Sequence, residues 1–158
     1  MKYFLVGYMG VGKTLYGKKL AAEWGLRFID LDEYISMIEQ HSVSAIFATK
    51  GEQYFRDLEL HCLHEICHLF DDFVLSTGGG TPCFGDNMEY MNEQGHTIFV
   101  NADVDTIVGR LSKHKLKRPL LSKLNDTELR DFVVTHLTER MPYYQQAKEM
   151  IMNDKLID

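Results

Sequence analysis

Apolar and polar positions switch between two periods along this chain. Residues 2–6 (KYFLV), 26–30 (LRFID), 73–77 (FVLST) and 96–100 (HTIFV) are short apolar runs, and each predicts a strand. Residues 149–152 (EMIM) are the candidate for a last one. From Glu52 to about Leu69 the apolar residues fall at 55, 58, 62, 66 and 69, steps of three and four that make one helix face. Further helices are predicted over about 13–24, ended by Gly25, and after Asp32 as N-cap through EYISMIEQ. A short helix over Ser44–Ala48 is broken by Gly51, and others cover 86–94, Asp103–Ser112 and about Asp126 toward Arg140. Strands alternating with helices predict a parallel sheet covered on both faces. No repeat, low-complexity tract or linker interrupts the pattern, so residues 1–158 are expected to form a single domain.

A length of 158 residues is enough for one proper core. The formal charge of −6 argues against general nucleic-acid binding. The basic residues are nevertheless uneven: Lys113, Lys115, Lys117 and Arg118 crowd one loop. Three cysteines, an odd number without regular spacing, build no disulfide framework and point to a reducing, cytoplasmic setting. The run YFLVGYMGVG follows Lys2 in the manner of a signal peptide, but Lys13 closes it, and no run approaches the roughly 20 apolar residues of a membrane span.

Candidate chemistry begins with Gly7-Tyr8-Met9-Gly10-Val11-Gly12-Lys13-Thr14, which fits G-x-x-x-x-G-K-[ST] between a predicted strand and a predicted helix. Glycines allow backbone N–H groups to turn inward around phosphate, and the helix presents its positive end to the same anion. Lys13 would reach the β- and γ-phosphates, and the Thr14 hydroxyl would ligate Mg²⁺. Asp30 and Asp32 end the second strand, where alternation sends both carboxylates to one side, beyond the carboxyl end where open α/β sheets bind ligands. One acid could hold Mg²⁺ through water and the other accept a substrate hydroxyl, or Asp32 could simply cap the next helix.

Other candidates are open to two readings. Arg56 offers a planar fork for a carboxylate, or an exposed helix pair with Glu59. Gly78, Gly79 and Gly80 follow a buried strand and could let a ligand lie against main-chain N–H groups, or only form a tight turn. Arg118 begins Arg-Pro-Leu-Leu at the end of the basic block, and Arg140 closes the penultimate helix. His64-Glu65-Ile66-Cys67-His68 matches the zinc-protease pattern H-E-x-x-H, with His61 one turn earlier, yet no clear third-ligand motif follows.

Taken together, G-x-x-G-x-G-K-T, D-x-D, G-E-x-x-F-R, T-G-G-G, R-P-L-L and R-x-P-x-Y stand in the order shown by shikimate kinases, and the resemblance runs from Phe4 to about Ala147. It implies an α/β fold like that of nucleoside monophosphate kinases: a P-loop three-layer αβα sandwich with a five-stranded parallel sheet in the order 2-3-1-4-5. It also implies a substrate-binding segment at about 32–60 and a lid at about 112–124. The implied reaction is phosphoryl transfer from MgATP to the 3-hydroxyl of shikimate. Gly10, Val11, Gly12, Lys13, Thr14 and Leu15 would hold ATP, with Arg110 near adenine. Thr14 and Asp30 would serve Mg²⁺, and Asp32 the substrate hydroxyls as candidate base. Arg56 and Arg140 would hold the substrate carboxylate, Phe47 and Phe55 would wall the pocket, and Glu59 would orient Arg56. Gly78, Gly79 and Gly80 would present backbone to the substrate, and Arg118 would reach the transferring phosphate. The implied partners are shikimate and ATP for a cytoplasmic monomer, without nucleic acid or membrane. A P-loop kinase of another hydroxy acid such as gluconate, and a nucleotide-binding module without catalysis, are the alternatives.

Overall fold

A computed structural model describes residues 1–114 and 121–154. Five parallel strands, β1 (Lys2–Val6), β2 (Arg27–Asp30), β3 (Phe73–Ser76), β4 (His96–Asn101) and β5 (Glu149–Met152), form one sheet in the order β2-β3-β1-β4-β5. Phe4 on the central strand pairs in register with Leu75 on one side and Thr97 on the other. Both faces of the central strands are covered, so β3 is buried along its whole length rather than alternating. All five predicted strands and the expected order are present.

The helices are α1 (Lys13–Trp24), α2 (Leu31–Glu39), α3 (Val43–Leu69), α4 (Asn87–Gln94), α5 (Val104–His114) and α6 (Asp126–Tyr144), with a 3-10 turn over Thr81–Cys83. Their ends follow from side-chain chemistry. Gly25, in the left-handed region, closes α1. Ser42 caps α3, accepting from the Ala45 N–H at 3.1 Å. Asn125 and Glu128 form a reciprocal capping box at the start of α6.

Three expectations change. Asp30, not Asp32, caps α2, because its Oδ1 accepts from the Glu33 N–H at 3.1 Å. The strand therefore ends at Asp30, and Leu31 turns into the core as the first helical residue. The two acids are brought together by a helix start rather than by strand alternation. The predicted break at Gly51 is real (φ 86°, ψ 172°), but the segments on either side pack as a kinked pair within α3. On the second segment Phe55, Cys62 and Ile66 are buried as the spacing predicts, whereas Leu69 is exposed and Glu59 takes an inward position. The last helix also runs past Arg140 to Tyr144, with Pro142 accommodated in its final turn.

Candidate active site at the carboxyl ends of the strands

The phosphate loop joins β1 to α1. Gly12 is the N-cap of α1 at φ 86°, a left-handed conformation that suits glycine, and an added Cβ there would lie 2.8 Å from Asn153 Nδ2. Lys13 is nearly buried, and its ammonium donates to the carbonyls of Gly7 at 2.6 Å and Tyr8 at 2.9 Å. The next residue, Thr14, donates its hydroxyl to Asp30 Oδ2 at 3.1 Å. A hydroxyl beside a carboxylate is a hard-oxygen pair suited to Mg²⁺, which takes few protein ligands and fills its octahedron with water and phosphate. The residues present therefore fit that ion.

These groups open onto a cavity of about 770 Å³, whose lining includes Lys13, Thr14, Asp30, Asp32, Gly78 and Arg110. Asp32 has its pKa raised to about 6, first by burial and then by the charges of Asp30 and Glu59, against the opposing pull of Lys13 and Arg56.

The triple glycine explains how three charged side chains share one wall. A Cβ at Gly78 would stand 3.3 Å from Asp32 Oδ1, one at Gly79 would stand 3.1 Å from Arg140 Nη1, and one at Gly80 would stand 2.6 Å from Arg56 Nη2. Each missing side chain leaves room for a different functional group. Gly80→Ala is expected to cost about 1–3 kcal/mol, because the guanidinium behind it is packed on its other faces. A urea-unfolding midpoint equal to wild type would show that Arg56 can step aside.

Arg56 is held tightly. Nη1 donates to Glu59 Oε1 at 2.9 Å, and the guanidinium lies 4.0 Å from the Phe84 ring centroid. Phe47 and Phe55 pack on each other at 4.7 Å and also face Arg56. Glu59 is only 1% exposed, so this is a buried ion pair and not the exposed helix pair that the spacing alone allowed. Among the described residues, Arg56 Nε has no hydrogen-bond partner, and with Glu52 4.0 Å away the side chain keeps donor capacity beyond Glu59.

Arg110 is buried against the phosphate loop, donating to Gly10 O at 3.3 Å and to Asn153 O at 2.9 Å. Val11 is buried in the core, and its carbonyl accepts from Asn153 Nδ2 at 2.7 Å. Leu15 is exposed and does not line the cavity. Arg118 and most of the basic block lie outside the described residues.

Three contributors were not foreseen. Asn153 ties the end of β5 to the phosphate loop, Tyr144 donates to Gly79 O at 2.6 Å, and Thr81 bridges Gly78 and Glu59. Asn153 carried a usable signal, since it directly follows the last predicted strand at the ligand-binding edge of the sheet. The H-E-x-x-H segment is taken up by packing: His64 stacks on Tyr90 with centroids 3.8 Å apart, and Glu65 accepts from the Tyr34 hydroxyl at 2.8 Å. Among the described residues, no cluster of three or more His, Cys, Asp or Glu side chains is placed to hold a metal.

Comparison with known proteins places this geometry among relatives. The family model described as shikimate kinase matches residues 9–156. A shikimate kinase of Phocaeicola vulgatus is 47% identical over 99% of this chain and 89% of its own length. The crystal structure of shikimate kinase from Bacteroides thetaiotaomicron superposes with a TM-score of 0.95 at 45% identity, covering 100% of this chain and 89% of that one. The shikimate kinase of Acinetobacter baumannii, solved in complex with shikimate, gives a TM-score of 0.81 at 32% identity, over 95% of this chain and 82% of that one.

Proposed function

This chain belongs to the shikimate kinase family, and from that premise we infer which of its residues carry the reaction. The protein is an ATP-dependent shikimate kinase: it transfers the γ-phosphoryl group of MgATP to the 3-hydroxyl of shikimate, giving 3-phosphoshikimate and ADP on the route to chorismate and the aromatic amino acids.

One observation supports the assignment of roles above the others. Asp32, Arg56 and Arg140 converge on the glycine turn, and Asp32 shares its cavity with Lys13 and the Thr14–Asp30 pair. Arg56 and Arg140 hold the shikimate carboxylate, which fixes the ring and presents its 3-hydroxyl to Asp32. Asp32 is ionised at neutral pH and, with its raised pKa, is a stronger base than an ordinary aspartate. It takes the hydroxyl proton as the 3-oxygen bonds to the γ-phosphorus and the bond to the β-phosphate oxygen breaks. Lys13 and the loop N–H groups hold the β- and γ-phosphates in line. Thr14, with Asp30 through water, would hold Mg²⁺, which when bound neutralises charge on the phosphate oxygens. The backbone N–H of Leu15 contributes to the nucleotide site although its side chain is exposed, and Arg110 packs near adenine. Family membership supports assigning Arg118, which lies outside the described residues, to the transferring phosphoryl group and about 112–124 to the lid, with residues about 32–60 as the substrate-binding segment of one domain spanning 1–158.

A coupled ADP-release assay tests the roles together with the substrate. Turnover is expected with shikimate and not with gluconate or other hydroxy acids. Arg56→Lys keeps the charge and loses the fork, so the shikimate KM is expected to rise about tenfold or more with the ATP KM little changed. Calorimetry showing wild-type shikimate affinity in that variant would remove Arg56 from the carboxylate site.

The protein acts as a cytoplasmic monomer without nucleic-acid or membrane partners. The net charge of −6 supports the absence of a nucleic-acid partner, and cysteines without a disulfide suit a reducing compartment; among the described residues, no helix is long and apolar enough to cross a membrane. Light scattering at working concentration would reveal a dimer.

A further inference from the structure

We propose that Thr81 is a positioning residue for shikimate, joining the Arg56–Glu59 pair to the glycine turn through its hydroxyl. The proposal rests on the assignment of Arg56 to the substrate carboxylate made above.

Thr81 is fully buried. A threonine hydroxyl has one proton to give and lone pairs to receive. Here both directions are imposed by the neighbours. Glu59 pairs with Arg56 and offers both of its carboxylate oxygens as acceptors, and the Gly78 N–H can only donate. The hydroxyl therefore donates to Glu59 Oε2 at 2.7 Å and accepts from Gly78 N at 3.0 Å. The other Glu59 oxygen takes Arg56 Nη1 at 2.9 Å. A continuous polar chain thus runs from the glycine turn to the guanidinium, and its two middle members, Thr81 and Glu59, are buried from water.

The backbone of Thr81 is anchored as well. Its N–H donates to Gly78 O at 3.2 Å, and its carbonyl accepts from the buried Asn87 side chain at 3.0 Å. The hydroxyl is consequently a fixed post rather than a rotor. Glu59 can then hold Arg56 in one orientation, between Phe84 and the open face of Gly80. At its other end, Gly78 abuts Asp32. Thr81 so relates the group that binds the substrate carboxylate to the group that receives its hydroxyl. Without the hydroxyl, the buried Glu59 carboxylate and the Gly78 N–H lose a partner together. The cheapest relaxation is for Glu59 to turn toward another donor and release Arg56 from its orientation.

A threonine with a purely structural role would lower stability and leave substrate affinity untouched. The test is therefore a split between constants. Thr81→Val exchanges the hydroxyl for a methyl group, Thr81→Ser keeps the hydroxyl, and Thr81→Ala removes it without adding bulk. Each is assayed for kcat, the shikimate KM, the ATP KM and Tm, alongside Arg56→Lys. In the valine variant the shikimate KM is expected to rise about tenfold or more, the scale of one lost charge-assisted hydrogen bond, with the ATP KM within about twofold. Serine is expected to return the shikimate KM to within about threefold of wild type. If the valine variant does not fold, the serine and alanine pair decides, with alanine expected to bind shikimate more weakly than serine at equal ATP affinity. A folded valine variant with wild-type shikimate KM, an equal rise in both substrates' KM, or serine as impaired as valine or alanine would each overturn the role of Thr81. If Arg56→Lys also leaves the shikimate KM unchanged, the carboxylate assignment of Arg56 fails and the role of Thr81 fails with it. If only the Thr81 series is silent, Arg56 keeps its role and Thr81 alone loses it.

Discussion

Replacing Lys13 by alanine is expected to lower kcat by about 10³-fold or more, roughly 4 kcal/mol of transition-state stabilisation, while the protein stays folded. The lysine is the first residue of α1, and its ammonium sits at the mouth of the loop on the carbonyls of Gly7 and Tyr8. What the variant loses is a point charge against the β- and γ-phosphates during transfer. The anchoring of α1 lies elsewhere, in buried Leu20 and Ala21 and in the close seat of Gly17 against Phe28. Tm should therefore move by only a few degrees. A second consequence tests the electrostatics. The Lys13 charge lowers the pKa of Asp32, so its removal should push that pKa up and make the residual activity fall away at higher pH than in wild type. A folded variant with near-normal kcat would remove Lys13 from the phosphate site.

Asp32→Asn is expected to reduce kcat about 10²-fold or more and, in the same molecule, to raise stability at neutral pH. In wild type the acid limb of the kcat/KM profile, which reports the free enzyme, should fall near pH 6, as Asp32 becomes protonated and can no longer accept the hydroxyl proton. The variant should lack that limb. The stability effect has the opposite sense to that of a salt-bridged carboxylate. The folded state holds the Asp32 proton to about pH 6, while the unfolded chain releases it near 3.8. The contribution of this group to stability is thus full below pH 3.8 and is lost as pH rises through 6. Asparagine, which never ionises, avoids that loss. In the ligand-free protein it should be more stable than aspartate by roughly 2–3 kcal/mol at pH 7, with most of the difference gone by pH 4.5. Urea midpoints at the two pH values measure it. Equal midpoints at pH 7 would mean that Asp32 is not held in a costly ionised state, and the assignment of Asp32 as a tuned base would lose its physical basis.

Much of the site was legible because its chemistry is local. The phosphate loop needs glycines at fixed offsets before a lysine and a threonine, and eight consecutive residues carry that whole requirement. Arg56 and Glu59 were legible as neighbours on a helix, but not as a buried pair. Their burial depends on Thr81, 22 positions further on, and on Phe84. Asp30 and Asp32 were legible as neighbouring acids at the end of a strand, and only the cap was misassigned, since a shift of two residues in where the helix begins exchanges the capping acid for the free one. The H-E-x-x-H pattern was open to two readings in the sequence, and only the ring of Tyr90 against His64 and the hydroxyl of Tyr34 against Glu65 reveal the packing of these residues.

The sequence by itself determined the alternation of strands and helices, the phosphate loop and the ordered motifs that mark the family. Each of these is a short-range pattern, decided by residue periodicity, by backbone freedom at glycine, or by spacing within one or two turns. Only the tertiary structure decided which partner each polar group has. Asn153 reaches Val11 across 142 positions, and Tyr144 reaches Gly79 across 65. A hydrogen bond needs its donor and acceptor within about 3 Å and correctly aimed, and no property of an isolated asparagine or tyrosine says where the chain will bring its partner. The triple glycine belongs to both levels: visible at once as an anomaly, it acquires its reason only when the folded chain lays Asp32, Arg140 and Arg56 where three side chains would otherwise have been.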